Sequence, residues 1–125
     1  MNHVQSPDTS DSAIEREIVA KGLTAPRVTP QDIEDNIVAS HYFNAADAAF
    51  GDAAHHIVND ESPLQLLTFC VIVLRNGFTV TGESACASPE NFDAEVGRKI
   101  ARANAVNKIW PLMGYALKQR LHEGA

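Results

Sequence analysis

Phe92, Val96, Ile100, Ala103, Val106, Trp110, Met113, Leu117 and Leu121 recur at steps of three and four. This spacing draws one apolar stripe along a helix of about thirty residues. Pro111 interrupts the stripe, and a proline inside a helix removes a hydrogen bond and crowds the preceding turn, so a kink near Asn107–Pro111 is expected. The stripe stays in phase across the proline, which favours a bent helix, or two nearly continuous ones, over two unrelated elements. Gly97 and Gly114 each cost a helix about 1 kcal/mol relative to alanine, and close approach by another backbone is one reason to keep them. A chain of 125 residues has a modest core, so a helix this long is expected to bury part of its stripe against a second copy.

The stripe is preceded by a hairpin signal. "LLTFCVIVL" is rich in β-branched and apolar residues, Arg75 follows, and Asn76-Gly77 separates it from "FTVTGES". Asn-Gly between two strand-like runs predicts a type I′ turn. That register pairs Arg75 with Phe78, Val73 with Val80 and Val71 with Gly82. Phe69, Val71, Val73, Phe78 and Val80 then share the core face. Cys70, Ile72 and Leu74 fall on the other face with Thr79, Thr81 and Glu83. Such a half-apolar face is expected to meet another helix or subunit.

Upstream, residues 1–12 are polar and expected to be disordered. "SAIEREIVAKG" predicts a short helix capped by Ser12 and stopped at Lys21-Gly22. Thr29 as cap, Pro30 at the first helical position and Asp32 in the first turn predict a second helix, ending near Ser40 to Phe43. Residues 44–63 form an insert without a clean period, a loop or a weak helix ending near Asn59. Ser88-Pro89-Glu90 starts the long helix. The expected architecture is α+β and helix-dominated: short N-terminal helices, one β-hairpin and a long C-terminal helix, in an oligomer. Residues 1–27 read as a flexible extension with a short helix, and residues 28–125 as the domain.

Several chemistries are disfavoured. The net charge of −6 argues against a protein that coats DNA or RNA. No apolar run reaches the ~18 residues of a membrane span, and the N-terminus has no signal-peptide pattern. Cys70 reads as a core residue and Cys86 as a loop thiol, consistent with a reducing cytoplasm. Gly82-Glu83-Ser84-Ala85-Cys86 lacks the last glycine of a serine nucleophile elbow and the parallel sheet that motif requires. Glu83 with Asp93 or Glu95 is a weak carboxylate pair, because helix dipoles explain early acidic residues. His55 and His56 point about 100° apart on a helix and make a poor metal site. No metal, cofactor or catalytic residue is assigned.

The basic residues are more informative. Arg98, Lys99 and Arg102 cluster on the long helix, Lys108 follows, and Lys118 and Arg120 lie near its end. Glu95 at Lys99 is an i,i+4 pair of a solvated face. The other reading is a phosphate-binding rim of forked arginine donors with Thr79, Thr81 and Ser84 hydroxyls, and with Tyr42 or Tyr115 stacked on a base.

"NGFTVTGESAC", "NFD", "GRKIARANAVNKIW" and "GYALK", with "TPQDIEDNIVASHYF" upstream, resemble a family of small tailed-phage proteins that includes the anti-CBASS sponges. CBASS is antiphage immunity in which a cyclic oligonucleotide activates a killer effector. The resemblance implies a non-enzymatic homo-oligomer, a hexamer, that sequesters cyclic di- and trinucleotides in the cytoplasm of the infected bacterium. It implies a dinucleotide site at Tyr42 and Arg75. It implies a separate trinucleotide site at Thr79 or Thr81 with Lys118 or Arg120. The chain departs from the compact sponges by its N-terminal extension and by the insert 44–63. The alternative function is an adaptor that binds a host or phage protein.

Overall fold

The structure, a computed structural model, describes residues 10–51 and 62–124. In chain order the elements are α1 (Asp11–Ala20), α2 (Pro30–Asp35), β1 (Ile37–Asn44), α3 (Ala45–Phe50), β2 (Leu67–Leu74), β3 (Thr79–Ala85) and α4 (Ala94–Gly124). Single 3-10 turns at Pro63–Leu66 and Pro89–Asn91 lead into β2 and α4. The sheet is antiparallel in the order β1-β2-β3, and α4 packs across one face of β2 and β3. The fold is α+β and helix-rich, as expected.

Local chemistry accounts for the helix starts. Thr29 Oγ1 accepts from the Asp32 amide at 3.1 Å, and the Thr29 amide donates to Asp32 Oδ2 at 2.9 Å. This reciprocal capping box starts α2. At α1 the cap is Ser10, two residues before the expected Ser12; its hydroxyl accepts from the Ala13 amide at 3.2 Å. At α4 the cap is Asp93 and not Ser88. Asp93 Oδ1 accepts from the Val96 amide at 2.9 Å, while Ser88 makes no capping bond. The disorder expected over residues 1–12 does not extend to Ser10, which caps α1, or to Asp11 and Ser12, which form its first turn; residues 1–9 and the pair His55, His56 lie outside the described residues.

The second helix is shorter than its sequence suggests. It stops at Asp35, and the segment expected to continue it is strand β1, which turns the hairpin into a three-stranded sheet. Ile33 and Ile37 are four apart and fit one helix face, yet only Ile33 is helical and buried in the core. Ile37 pairs with Leu74, and an irregularity before Ala39 leaves Val38 facing outward. Backbone pairing with β2 satisfies every second donor and acceptor of this β-branched and aromatic segment, which outweighs its weak helical period.

The hairpin register differs from the expected one by one residue. The Leu74 amide donates to the Phe78 carbonyl at 2.8 Å, and the Gly77 amide donates to the Leu74 carbonyl at 2.9 Å. The loop is therefore Arg75-Asn76-Gly77, with Gly77 alone at positive φ (88°). Asn76 Oδ1 accepts from the Phe78 amide at 2.9 Å and stabilises the turn. Val80 now faces Ile72, and Gly82 faces Cys70. A one-residue slip inverts the faces. Cys70, Ile72 and Leu74 with Val80 form the core, and Phe69, Val71 and Val73 are only half-buried. Phe78 is 55% exposed.

The long helix is continuous through Pro111. Its inward row is Gly97, Ala101, Ala105 and Ile109, joined by Val106. The expected stripe therefore divides. Val106, Trp110 and Met113 turn toward the core, whereas Val96 and Ile100 are exposed at 51% and 46%. Small residues face the sheet because the helix lies directly on the backbone of β3 at Gly82. Gly97 abuts the Thr68 side chain, not another backbone, and Gly114 has open space around it.

Candidate functional site: three clefts around the sheet

Tyr42 lies on β1 opposite Cys70, on the α4 side of the sheet. It borders a cleft of about 330 Å³ with Asn44, Thr68, Phe92 and Arg98. Burial pushes the Tyr42 phenol above its ordinary pKa, with a smaller upward push from Cys70 and an opposing pull from the Arg102 and Arg98 guanidinium groups. These two arginines differ in availability. Arg102 donates to both carboxylate oxygens of Glu34, at 3.3 and 2.9 Å, and clamps α4 to α2. Lys99 takes Glu95 at 3.4 Å, the i,i+4 pair expected of a solvated face. Arg98 has no ion-pair partner among the described residues. The cleft thus sets a half-exposed aromatic ring beside an uncommitted guanidinium.

Arg75 is elsewhere. Its Nε donates to the Asp35 carbonyl and its amide to the Asn36 carbonyl at 3.1 Å, so it fastens the hairpin loop to the C-terminal end of α2. There the helix dipole also favours a cation. Arg75 borders a cleft of about 540 Å³ with Arg27, Asp32, Asp35 and Arg120. The fold thus joins Arg75 to Arg120, residues expected in different sites, and parts it from Tyr42. Arg75 lies five positions along the chain from Cys70, the partner of Tyr42, about 17 Å of backbone at the usual strand rise.

Thr79 and Thr81 border a third cleft, of about 470 Å³, with Lys108, Leu112 and Tyr115. β3 is an edge strand. Its pairing with β2 alternates from the Leu74–Phe78 bond, so the main-chain groups of Thr79 and Thr81 point away from the sheet. Further along the same edge, Asn104 Nδ2 donates to the Glu83 carbonyl at 2.8 Å. The ring of Tyr115 is 74% exposed. Lys118 is exposed on the outer half of α4.

The three clefts offer rings, guanidinium and ammonium groups, hydroxyls and strand-edge amides, a set suited to holding a phosphorylated, base-containing ligand. The companions Arg98 and Lys108 appeared in the sequence only as members of a basic cluster. What marks Arg98 is that its neighbours Lys99 and Arg102 are paired, whereas it has no ion pair among the described residues. Cys86 is half-buried, and its thiol donates to the Ser88 carbonyl at 3.2 Å. Among the described residues no three potential metal ligands converge, and no helix is long and apolar enough to cross a membrane.

No curated protein and no solved structure matches the chain. A family model does match, over residues 28–121, from the segment before α2 almost to the end of α4. The match spans the sheet, nearly all of the long helix and, Arg27 apart, the named residues of the three clefts, and omits α1. On that extent the chain belongs to the phage protein (N4 Gp49/phage Sf6 gene 66) family.

Proposed function

We propose that this phage protein sequesters cyclic di- and trinucleotides without cleaving them, in the manner of the anti-CBASS sponges its sequence resembles, and so acts in the cytoplasm of the infected host. The observation that carries the reading is Tyr42 in one cleft with Arg98, which pairs with no acidic side chain among the described residues. A base stacks on the ring, and a phosphate takes charge-assisted bonds from the guanidinium. The Thr79–Thr81 edge with Lys108 and Tyr115 supplies a second place of the same chemistry. Calorimetry against a panel of cyclic di- and trinucleotides tests the reading. Binding with intact nucleotide recovered after heat denaturation supports it; silence across the panel, or recovery of cleaved product, rejects it.

A homo-oligomer, a hexamer by the resemblance, belongs to the same proposal. Tyr42 and Arg75 border different clefts of one chain, so a single dinucleotide site using both would be shared between two copies. Val96 and Ile100 on α4, and Leu112, Tyr115 and Leu121 beyond them, are exposed apolar residues that a second copy would cover.

One feature favours the adaptor reading. On the sheet face away from α4, none of Ala39, His41, Phe43, Phe69, Val71 and Val73 is buried, and Phe43 stacks on Phe69 at 5.4 Å. Such a face also fits a host or phage protein. A stoichiometric foreign partner co-purifying from infected cells, together with silence across the nucleotide panel, would establish that reading in place of the sponge.

A further inference from the structure

One charged group in the cleft of Tyr42 and Arg98 has no part in holding a phosphate. Asp47, on α3, borders the same cleft and is exposed. The fold leaves its carboxylate free. The cap of α3 is Asn44, whose Oδ1 accepts from the Ala46 amide at 2.8 Å. Asp47 makes no ion pair, with Arg98 or any other cation, among the described residues. The wall that carries it is fixed. Asn44 Nδ2 donates to the Gln65 carbonyl at 2.7 Å, and Ala45 and Ala46 are buried, which seats the start of α3 against the segment leading into β2. One cleft of about 330 Å³ thus brings together a carboxylate from α3, a guanidinium from α4 and the rings of Tyr42 and Phe92.

Charge narrows what such a cleft accepts. A phosphate alone is drawn by Arg98 and repelled by Asp47. A ligand suits both groups when it is anionic in one part and donates hydrogen bonds from another. A carboxylate accepts two parallel hydrogen bonds and donates none. Among the common bases only guanine presents two adjacent donors, N1–H and the 2-amino group, on its pairing edge, the edge that proteins read on an unpaired base. Adenine and cytosine set a donor beside an acceptor there, and uracil sets one donor between two carbonyls. Each of these would turn a lone pair toward the carboxylate. We propose, on the cyclic-dinucleotide reading of this cleft, that Asp47 selects guanine: the base stacks on Tyr42, its N1–H and 2-amino group donate to the two Asp47 oxygens, and its phosphate takes Arg98.

The test is calorimetry on the full chain with cyclic di-GMP and cyclic di-AMP at one ionic strength. Cyclic di-GMP should bind more tightly by about tenfold or more, the scale of hydrogen bonds to a charged acceptor. Asp47→Ala should lower the cyclic di-GMP affinity to that of cyclic di-AMP. Asp47→Asn keeps the shape but offers one donor and one acceptor, which match the edge of adenine, so it should invert the order of the two ligands. Both variants should keep the thermal midpoint of the parent, because Asp47 is exposed and makes no ion pair among the described residues. Cyclic di-IMP, whose base lacks the 2-amino group, tests the same bond on the unaltered protein and should bind several-fold more weakly than cyclic di-GMP. Equal affinity of the parent for cyclic di-GMP and either of the other two, or a guanine preference that survives in both variants, overturns the role of Asp47 and leaves the sequestration reading standing. A parent that binds none of the three overturns both.

Discussion

Gly82 on β3 lies so close to α4 that a β-carbon there would sit 2.1 Å from the Ala101 carbonyl oxygen and 2.3 Å from the Ala105 amide nitrogen. Both atoms are helix backbone and cannot swing aside as a side chain would. Gly82→Ala must therefore lift α4 from the sheet or distort β3. We expect a loss of about 3 kcal/mol, at the upper end for overpacked cores, read as a lowered urea midpoint with an unchanged m-value. Gly114→Ala, with nothing within 4 Å, should leave stability unchanged or slightly raised.

The hairpin register makes a paired prediction. Ile72 is fully buried against Ala101, Ala105 and Ile109, whereas Val71 and Val73 lie half-buried on the opposite face. Ile72→Ala should cost about 2–4 kcal/mol. Val71→Ala should cost under about 1 kcal/mol in the monomer. If Val71 is the more sensitive, thermal melts will show it, and the alternative register or an interface on that face is indicated.

Ligand binding should depend on Tyr42, Arg98 and Arg75 in different ways. Tyr42→Ala should lose about 1–3 kcal/mol of cyclic dinucleotide affinity, for one stacked base. Arg98→Ala should lose about 1.5–3 kcal/mol, for a charge-assisted bond to phosphate, without loss of stability, because Arg98 pairs with nothing described. Arg75→Ala should weaken both binding and folding, since Arg75 also ties the hairpin loop to α2. Calorimetry beside thermal melts separates the two effects, and equal affinity in all three variants removes the dinucleotide site.

The two ligand classes should not compete. A trinucleotide at the Thr79–Thr81 edge, with Lys108 and Tyr115, and a dinucleotide near Tyr42 occupy different places. After saturation with the trinucleotide, the dinucleotide should still bind at full stoichiometry. Stoichiometric expulsion of one by the other would replace two sites with one shared or allosterically linked site.

Acid should release α1. The hydrogen bond from Arg27 holds Glu15 below the usual carboxylate pKa, so the contribution of the pair is complete above about pH 4.5 and fades as the pH falls through the lowered value. Tryptophan fluorescence should change in that interval, because Trp110 and Glu15 border the same cleft. In Glu15→Gln the acid-dependent change should vanish.

Much of the local structure is written in short runs of residues. Thr29-Pro30 with Asp32 determines where α2 begins, because the capping bonds form within four residues. Asn76-Gly77 determines where the chain reverses, because Gly77 alone takes the positive φ the turn needs. The periodic segment around Val106 and Trp110 determines a long helix that Pro111 does not end. That Tyr42 offers a ring and Thr79 and Thr81 offer hydroxyls was likewise legible from residue type. Which side chains stand together was not. Whether Ile33 and Ile37 belong to one helix depended on β2 offering backbone partners to β1. The register depended on fit: the expected face would have set Phe69 and Phe78 against α4, whereas Cys70, Ile72 and Gly82 match its row of glycine and alanine. Arg98 became the companion of Tyr42, and Arg120 that of Arg75, only through the angle at which α4 crosses the sheet. A turn or a cap is decided by bonds among neighbours in sequence. A face, a register and a cleft are decided by packing between segments far apart in the chain, where a shift of one residue exchanges the inside for the outside.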